Sequence, residues 1–149
     1  MRGAAVLDLF AGAGVFGVEA LSRGAGRVTF VEKDAALVGF LEDNLRSLDL
    51  VGVARVSCED VFYYLEVTRP SAPYDVVFLD PPYGRGLAFR TIEGLAGWPG
   101  FGERTLGVAK TFKKERFAGP PPLVLLETRQ LGDDALYFFH KLYSARVNP

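Results

Sequence analysis

Ala4-Ala5-Val6-Leu7-Asp8-Leu9-Phe10 runs straight into Ala11-Gly12-Ala13-Gly14-Val15-Phe16-Gly17. A short apolar run ending on a glycine cluster reads as a buried strand that feeds a tight turn. Val15 to Arg23 is compatible with a helix, and Gly24 supplies its C-terminal cap. The same alternation continues outward. Arg27 to Glu32 is a second strand, Asp34 N-caps a helix, and Leu37, Leu41, Leu45 and Leu48 place one apolar face along it. Val53 to Cys58 reads as a third strand, Val61 to Val67 as a short helix, and Pro70 to Pro73 as a turn. Tyr74 to Leu79 is almost wholly apolar and is expected at the centre of the sheet. A helix over Gly86 to Leu95 follows. A fifth strand is expected over Leu123 to Glu127, after a triple proline, and a last one over Leu136 to Tyr143. Alternation of this kind predicts an α/β fold: a mostly parallel, twisted sheet with helices on both faces.

Composition sets the outer limits. The 149 residues amount to a single domain, 1–149, with 49% hydrophobic and 23% charged residues, a globular balance. The net charge of −1 does not advertise a polyanionic partner. A single cysteine, Cys58, excludes an internal disulfide and a multi-cysteine metal site. Its place at a strand end reads as small buried filler. No apolar stretch approaches the ~20 residues needed to cross a bilayer, and Asp8 breaks the N-terminal apolar run, against a secretory leader. A cytoplasmic monomer without metal or membrane partner is expected.

Ligands of open α/β sheets bind outside the carboxyl ends of the strands. Those ends carry Asp8 with Gly12 and Gly14, then Glu32, then Asp60, then Asp80-Pro81-Pro82-Tyr83. Gly12-Ala13-Gly14-Val15-Phe16-Gly17 fits the G-x-G-x-x-G pattern of dinucleotide sites, and Glu32 stands near the expected acidic position, so an NAD-binding oxidoreductase is one reading. Asp8 opposes it. A pyrophosphate needs bare backbone N–H groups at that turn, and a carboxylate there repels it. S-adenosylmethionine has no phosphate and carries an ammonium and a sulfonium, which suit Asp8. Glu32 then accepts the ribose hydroxyls and Asp60 the adenine amine. The residues expected around the cofactor are Asp8, Phe10, Ala11, Gly12, Gly14, Glu32, Lys33, Asp60 and Val61.

Asp80-Pro81-Pro82-Tyr83 is the most specific motif. An exocyclic base amine is a poor nucleophile because its lone pair is delocalised into the ring. Asp80 and the Pro81 carbonyl can accept its two N–H hydrogens and hold the lone pair toward an incoming methyl. Proline stiffens the turn and brings no competing N–H. Tyr83 can stack on an extruded base, an interaction worth about 1–3 kcal/mol. Asp80, Pro81, Pro82 and Tyr83 are therefore the expected catalytic residues. Cys58 does not follow a proline, which argues against a cytosine-C5 methyltransferase.

The stretches Val6 to Gly14, Gly17-Val18-Glu19-Ala20-Leu21-Ser22-Arg23-Gly24-Ala25, Val31-Glu32-Lys33-Asp34, Asn44-Leu45 and Tyr74 to Gly84 resemble the bacterial 16S ribosomal RNA guanine-N2 methyltransferases. The resemblance covers about residues 4 to 95. Asp-Pro-Pro-Tyr is shared by amino-methyltransferases in general, those of DNA adenine and cytosine included, which keeps a DNA amino-methyltransferase as an alternative. The Glu19 to Ala25 and Val31 to Asp34 stretches point to the ribosomal RNA family. It implies a class I methyltransferase (Rossmann-like) sheet with a final antiparallel strand. It also implies S-adenosylmethionine as cofactor and ribosomal RNA, free or in an assembling small subunit, as partner. Family members carry a segment before the first motif that this chain is expected to lack, and a shorter link in place of Trp98 to Pro122. In that link Arg104, Lys110, Lys113, Lys114 and Arg116 stand against Glu115. With Phe112 among them and Phe117 directly after, Lys110, Lys113, Lys114 and Arg116 are candidates for gripping RNA phosphates and bases; a solvated helix face with two core aromatics is the alternative. His140, the only histidine, reads as structural.

Overall fold

The computed structural model describes residues 1–117 and 119–142. Seven strands form one sheet: β1 (Ala5–Leu9), β2 (Arg27–Glu32), β3 (Ala54–Cys58), β4 (Val76–Leu79), β5 (Leu106–Phe112), β6 (Leu123–Leu131) and β7 (Asp134–Lys141). Four helices join them: α1 (Val15–Ser22), α2 (Ala35–Ser47), α3 (Val61–Val67) and α4 (Leu87–Gly97). The strand order is β3-β2-β1-β4-β5-β7-β6. β1 pairs in parallel with β2 on one side and β4 on the other, β5 continues in parallel beyond β4, and β7 enters antiparallel between β5 and β6. The chain thus turns back on either side of β1, the switch point at which open α/β sheets bind ligands.

The central strands read as unbroken apolar runs because both faces are covered. On one face α1 and α2 pack Ala20, Leu21, Leu41 and Leu45 against Val6, Val28 and Phe30. On the other, α3 and α4 pack Tyr64, Leu65, Ile92 and Leu95 against Leu7, Val77 and Leu79. The buried face of α2 is Val38, Leu41 and Leu45. Leu37 and Leu48, expected on that face, are exposed: steps of four from Leu41 back to Leu37 drift around a 3.6-residue helix, and Leu48 is the C-cap beyond the last turn.

Two strand expectations are corrected. The fifth strand is Leu106–Phe112, inside the region read as a basic link, and Leu123 to Glu127 begins the sixth. The alternating burial of β5, with Lys110 and Phe112 only partly covered, hides it among the flanking charges. The last strand starts at Asp134 and is antiparallel as expected; Tyr143, at the expected end, lies outside the described residues.

Candidate active site

Strand register builds the site. Leu9 stands level with Val31 of β2 and Leu79 of β4, so Phe10, Glu32 and Asp80 emerge on one rung at the carboxyl edge. Asp60 follows one strand further out and N-caps α3, its Oδ1 accepting from the N–H groups of Phe62 (2.9 Å) and Tyr63 (3.3 Å). These ends enclose a cleft of about 450 Å³ lined by Phe10, Glu32, Lys33, Asp60, Val61 and the whole Asp80–Tyr83 turn, within the range usual for small-molecule sites. Leu37, Asp34, Glu59, Arg85 and Leu87 also line it and were not expected there. Leu37 could have been found from the helical drift noted above.

Glu32 ties the glycine turn to the second strand. Its Oε2 accepts from the N–H of Gly12 and its Oε1 from that of Asp34, both at 2.9 Å. Each oxygen keeps a further lone pair for a ligand donor. Gly14 takes φ +79° at the head of α1, and a Cβ there would come within 2.4 Å of Leu41. At Gly17 a Cβ would meet Phe30 at 2.2 Å, so only glycine lets the helix lie this close to β2. Phe10 holds φ +59°, a strained conformation for a bulky residue, at the mouth of the cleft.

Asp8 is not in the cleft. It lies beneath the turn, 2% exposed, with Oδ2 accepting from the N–H of Gly17 at 3.0 Å. Burial pushes its pKa up to about 8; the Gly17 bond works against this, and the Asp80 and Glu32 charges add to it. Glu32 and Asp80 thus place carboxylates at the base of the site, while Asp8 beneath it holds its proton near neutral pH. Asp8 also occupies one of the first-turn N–H groups of α1 that a pyrophosphate would require.

The Asp80–Tyr83 turn is braced by the following strands. Lys110 of β5 places its Nζ 3.3 Å from Asp80 Oδ2 and 3.5 Å from Asp134 Oδ2. Asp134 Oδ1 accepts the Tyr83 hydroxyl at 2.6 Å. The Gly84 N–H donates to Glu115 Oε1 at 3.3 Å. Burial lowers the Lys110 pKa, but Asp80 and Tyr83 outweigh it and the net shift is upward. The Tyr83 phenol is raised, first by its bond to Asp134.

The basic segment is therefore not a helix face, and its first two lysines are paired. Lys110 is paired as above, and Lys113 pairs with Asp133. Lys114 and Arg116 are exposed in the turn after β5. Cys58, expected to be buried, is exposed at the open edge of the sheet. Among the described residues no cluster of His, Cys, Asp and Glu suits a metal ion, and no helix is long and apolar enough to cross a membrane.

Comparison with known proteins agrees with this architecture. The family described as conserved hypothetical protein 95 matches residues 1–140. The Escherichia coli K12 ribosomal RNA small subunit methyltransferase D is 43% identical over 94 residues, 62% of this chain and 46% of that protein. Its Haemophilus influenzae counterpart is 35% identical over 127 residues, 85% of this chain and 66% of that protein. The chain spans about half the length of the curated relatives it matches. A crystal structure of a candidate methylase from H. influenzae superposes with a TM-score of 0.86 at 32% identity, covering 95% of this chain and 89% of that one.

Proposed function

The chain belongs to the family described as conserved hypothetical protein 95, and we propose that it transfers a methyl group from S-adenosylmethionine to the exocyclic N2 amine of a guanine in small-subunit ribosomal RNA. One observation carries the reading: the Asp80–Tyr83 turn opens into the same cleft as Glu32 and Asp60. Acceptors suited to a nucleoside cofactor and acceptors suited to a base amine thus share one space. The small-subunit ribosomal RNA substrate is suggested by the names of the relatives.

The donor set fits this cofactor. Glu32 and Asp60 would hold the ribose hydroxyls and the adenine amine, with Phe10, Lys33 and Val61 at the walls. Ala11, Gly12 and Gly14 form the turn, and Asp8 fixes that turn through Gly17. The Glu32 and Asp80 carboxylates, and the Gly17 N–H already taken by Asp8, favour a cationic ligand over a pyrophosphate, which sets the NAD reading aside. When bound, S-adenosylmethionine supplies an electrophilic methyl on a sulfonium.

The protein's own residues do the rest. Asp80 and the Pro81 carbonyl accept the two amine hydrogens, so the nitrogen lone pair faces away from them. Tyr83, exposed at the rim, offers its ring to the extruded base. The nitrogen becomes acidic once alkylated, so its proton can leave without a strong base. Asp80 stabilises the positive charge that develops there; removing a comparable electrostatic contact costs about 2.7–4 kcal/mol of barrier.

Incubation with radiolabelled S-adenosylmethionine and small-subunit RNA, naked or in particles, followed by mass spectrometry of nucleosides, tests the proposal. The expected product is N2-methylguanosine. Label in adenine N6 or cytosine N4 of DNA would move the activity to the DNA alternative. Binding of NAD without binding of S-adenosylmethionine would end the methyltransferase reading.

A further inference from the structure

Two residues outside the Asp80–Tyr83 motif touch it from the far half of the sheet. Lys110 enters from β5, whose Ala109 is level with Leu79 of β4. That register brings Lys110 alongside Asp80, the first residue after β4. Asp134 enters from β7, where it stands opposite Phe112. Together they close a chain of contacts: Asp80 Oδ2 to Lys110 Nζ, Lys110 Nζ to Asp134 Oδ2, and Asp134 Oδ1 to the Tyr83 hydroxyl. Both ends of the motif are held by one ammonium–carboxylate pair that no turn within the motif could supply.

We propose that Lys110 and Asp134 are positioning residues that set the acceptor carboxylate of Asp80 and the ring of Tyr83 at a fixed separation before a base arrives. The inference rests on the amino-methylation reading above and adds to it which side chains order the base-binding half of the cleft. Lys110 engages one oxygen of Asp80, leaving Oδ1 for the amine. It also limits rotation of the carboxylate about its χ angles. Asp134 anchors the Tyr83 hydroxyl, and Phe112 lies against that ring, with centroids 6.2 Å apart and planes at 43°. A ring held at its tip and along its side has lost rotational freedom beforehand, so less entropy is lost when a base stacks on it. Glu115, which accepts from Gly84, fixes the backbone just beyond the motif. The ion pairs are partly exposed, so their role is geometric: pairs at such positions add little to stability.

The placement also accounts for Lys110 within the basic segment. Lys110 is held between two carboxylates, Asp80 and Asp134. Its positive charge serves the protein's own acids.

Four variants of the whole chain test the proposal: Lys110→Met, Lys110→Arg, Asp134→Ala and Tyr83→Phe, together with the Asp134→Ala/Tyr83→Phe double variant. Single-turnover methyl transfer and the dissociation constant of S-adenosylmethionine are measured on each. Lys110→Met is expected to lower the rate about 10- to 100-fold with cofactor affinity unchanged, and Lys110→Arg to recover it to within about threefold. The Asp134→Ala/Tyr83→Phe double variant is expected to be no slower than the worse single variant, because both remove one contact. The Tyr83 phenol, followed by NMR of labelled tyrosine, gives a readout independent of activity. Its pKa is expected to fall in Asp134→Ala and to rise further in Lys110→Met, because the carboxylate favours the phenol and the ammonium favours the phenolate. A folded Lys110→Met protein with wild-type turnover, or additive losses at Asp134 and Tyr83, overturns the proposal. If wild-type protein methylates no nucleic acid, the amino-methylation reading fails. The Tyr83 titrations then decide the network alone, and an unmoved phenol in both variants overturns it.

Discussion

Asp8 is a carboxyl sealed under a helix, and that burial has a measurable consequence. Its folded-state pKa stands near 8, against an ordinary 3.8. Burial is the main cause, and the neighbouring charges of Asp80 and Glu32 add to it. A carboxyl raised on folding keeps its proton in the folded state over a range in which the unfolded chain has released it. Its contribution is fully present below the unfolded value and declines as pH rises toward the folded value. At about 1.4 kcal/mol per pH unit, the loss between pH 4 and pH 8 reaches roughly 5 kcal/mol, a large part of a typical domain's stability. Asp8→Asn removes the titration while leaving an amide oxygen to accept from Gly17. Urea unfolding of both proteins at pH 5, 6, 7 and 8 is the assay. The wild type is expected to lose stability relative to Asp8→Asn steadily over this range, with unchanged m-values. Contributions from other groups are common to both proteins and cancel. A stability difference between the two that is the same at pH 5 and pH 8 would refute the reasoning.

Glu32→Ala should weaken S-adenosylmethionine binding by about 10- to 100-fold in a calorimetric titration, since charge-assisted hydrogen bonds are worth about 1.5–3 kcal/mol. Glu19→Ala, which removes exposed contacts with Arg23 and Ser22, should leave it within about twofold; equal effects would displace Glu32 from the site. Gly17→Ala should destabilise the fold by about 1–3 kcal/mol, because its Cβ would press on Phe30 at 2.2 Å. A melting temperature equal to wild type would show that the α1–β2 contact is looser than described.

The first half of the sheet was legible because its signals are local. The apolar runs at β1, β2 and β4 lie between glycine and acidic turns, and each strand is covered on both faces by its own neighbouring helices. The carboxylates at the strand ends could be placed from the alternation alone. Which of them face the cleft could not. Asp8 and Glu32 look equivalent in sequence, yet one lies under α1 and the other reaches the turn, because Asp8 is level with Phe30 while Glu32 stands two residues further along at the end of β2. The far half of the sheet was misread because β5 carries Lys110 in the middle of its run and is followed by a cationic turn. Charge density there outweighed the alternation of Val108, Lys110 and Phe112. The partners of Lys110 lie far off in sequence: Asp134 reaches it only through the β5–β7 register. Beside Gly132 and Asp133 it reads as nothing more than a turn.

The claim on which the account stands is that Asp80 acts on the target amine and not on the cofactor. Single-turnover methyl transfer to small-subunit RNA by the wild type and by Asp80→Ala, with the S-adenosylmethionine dissociation constant and melting temperature measured on the same preparations, tests it directly. The expected result is a loss of about 100- to 1000-fold in transfer rate, with cofactor affinity within about threefold of wild type and the fold intact. A folded, cofactor-binding Asp80→Ala protein that turns over at a near-normal rate would contradict it.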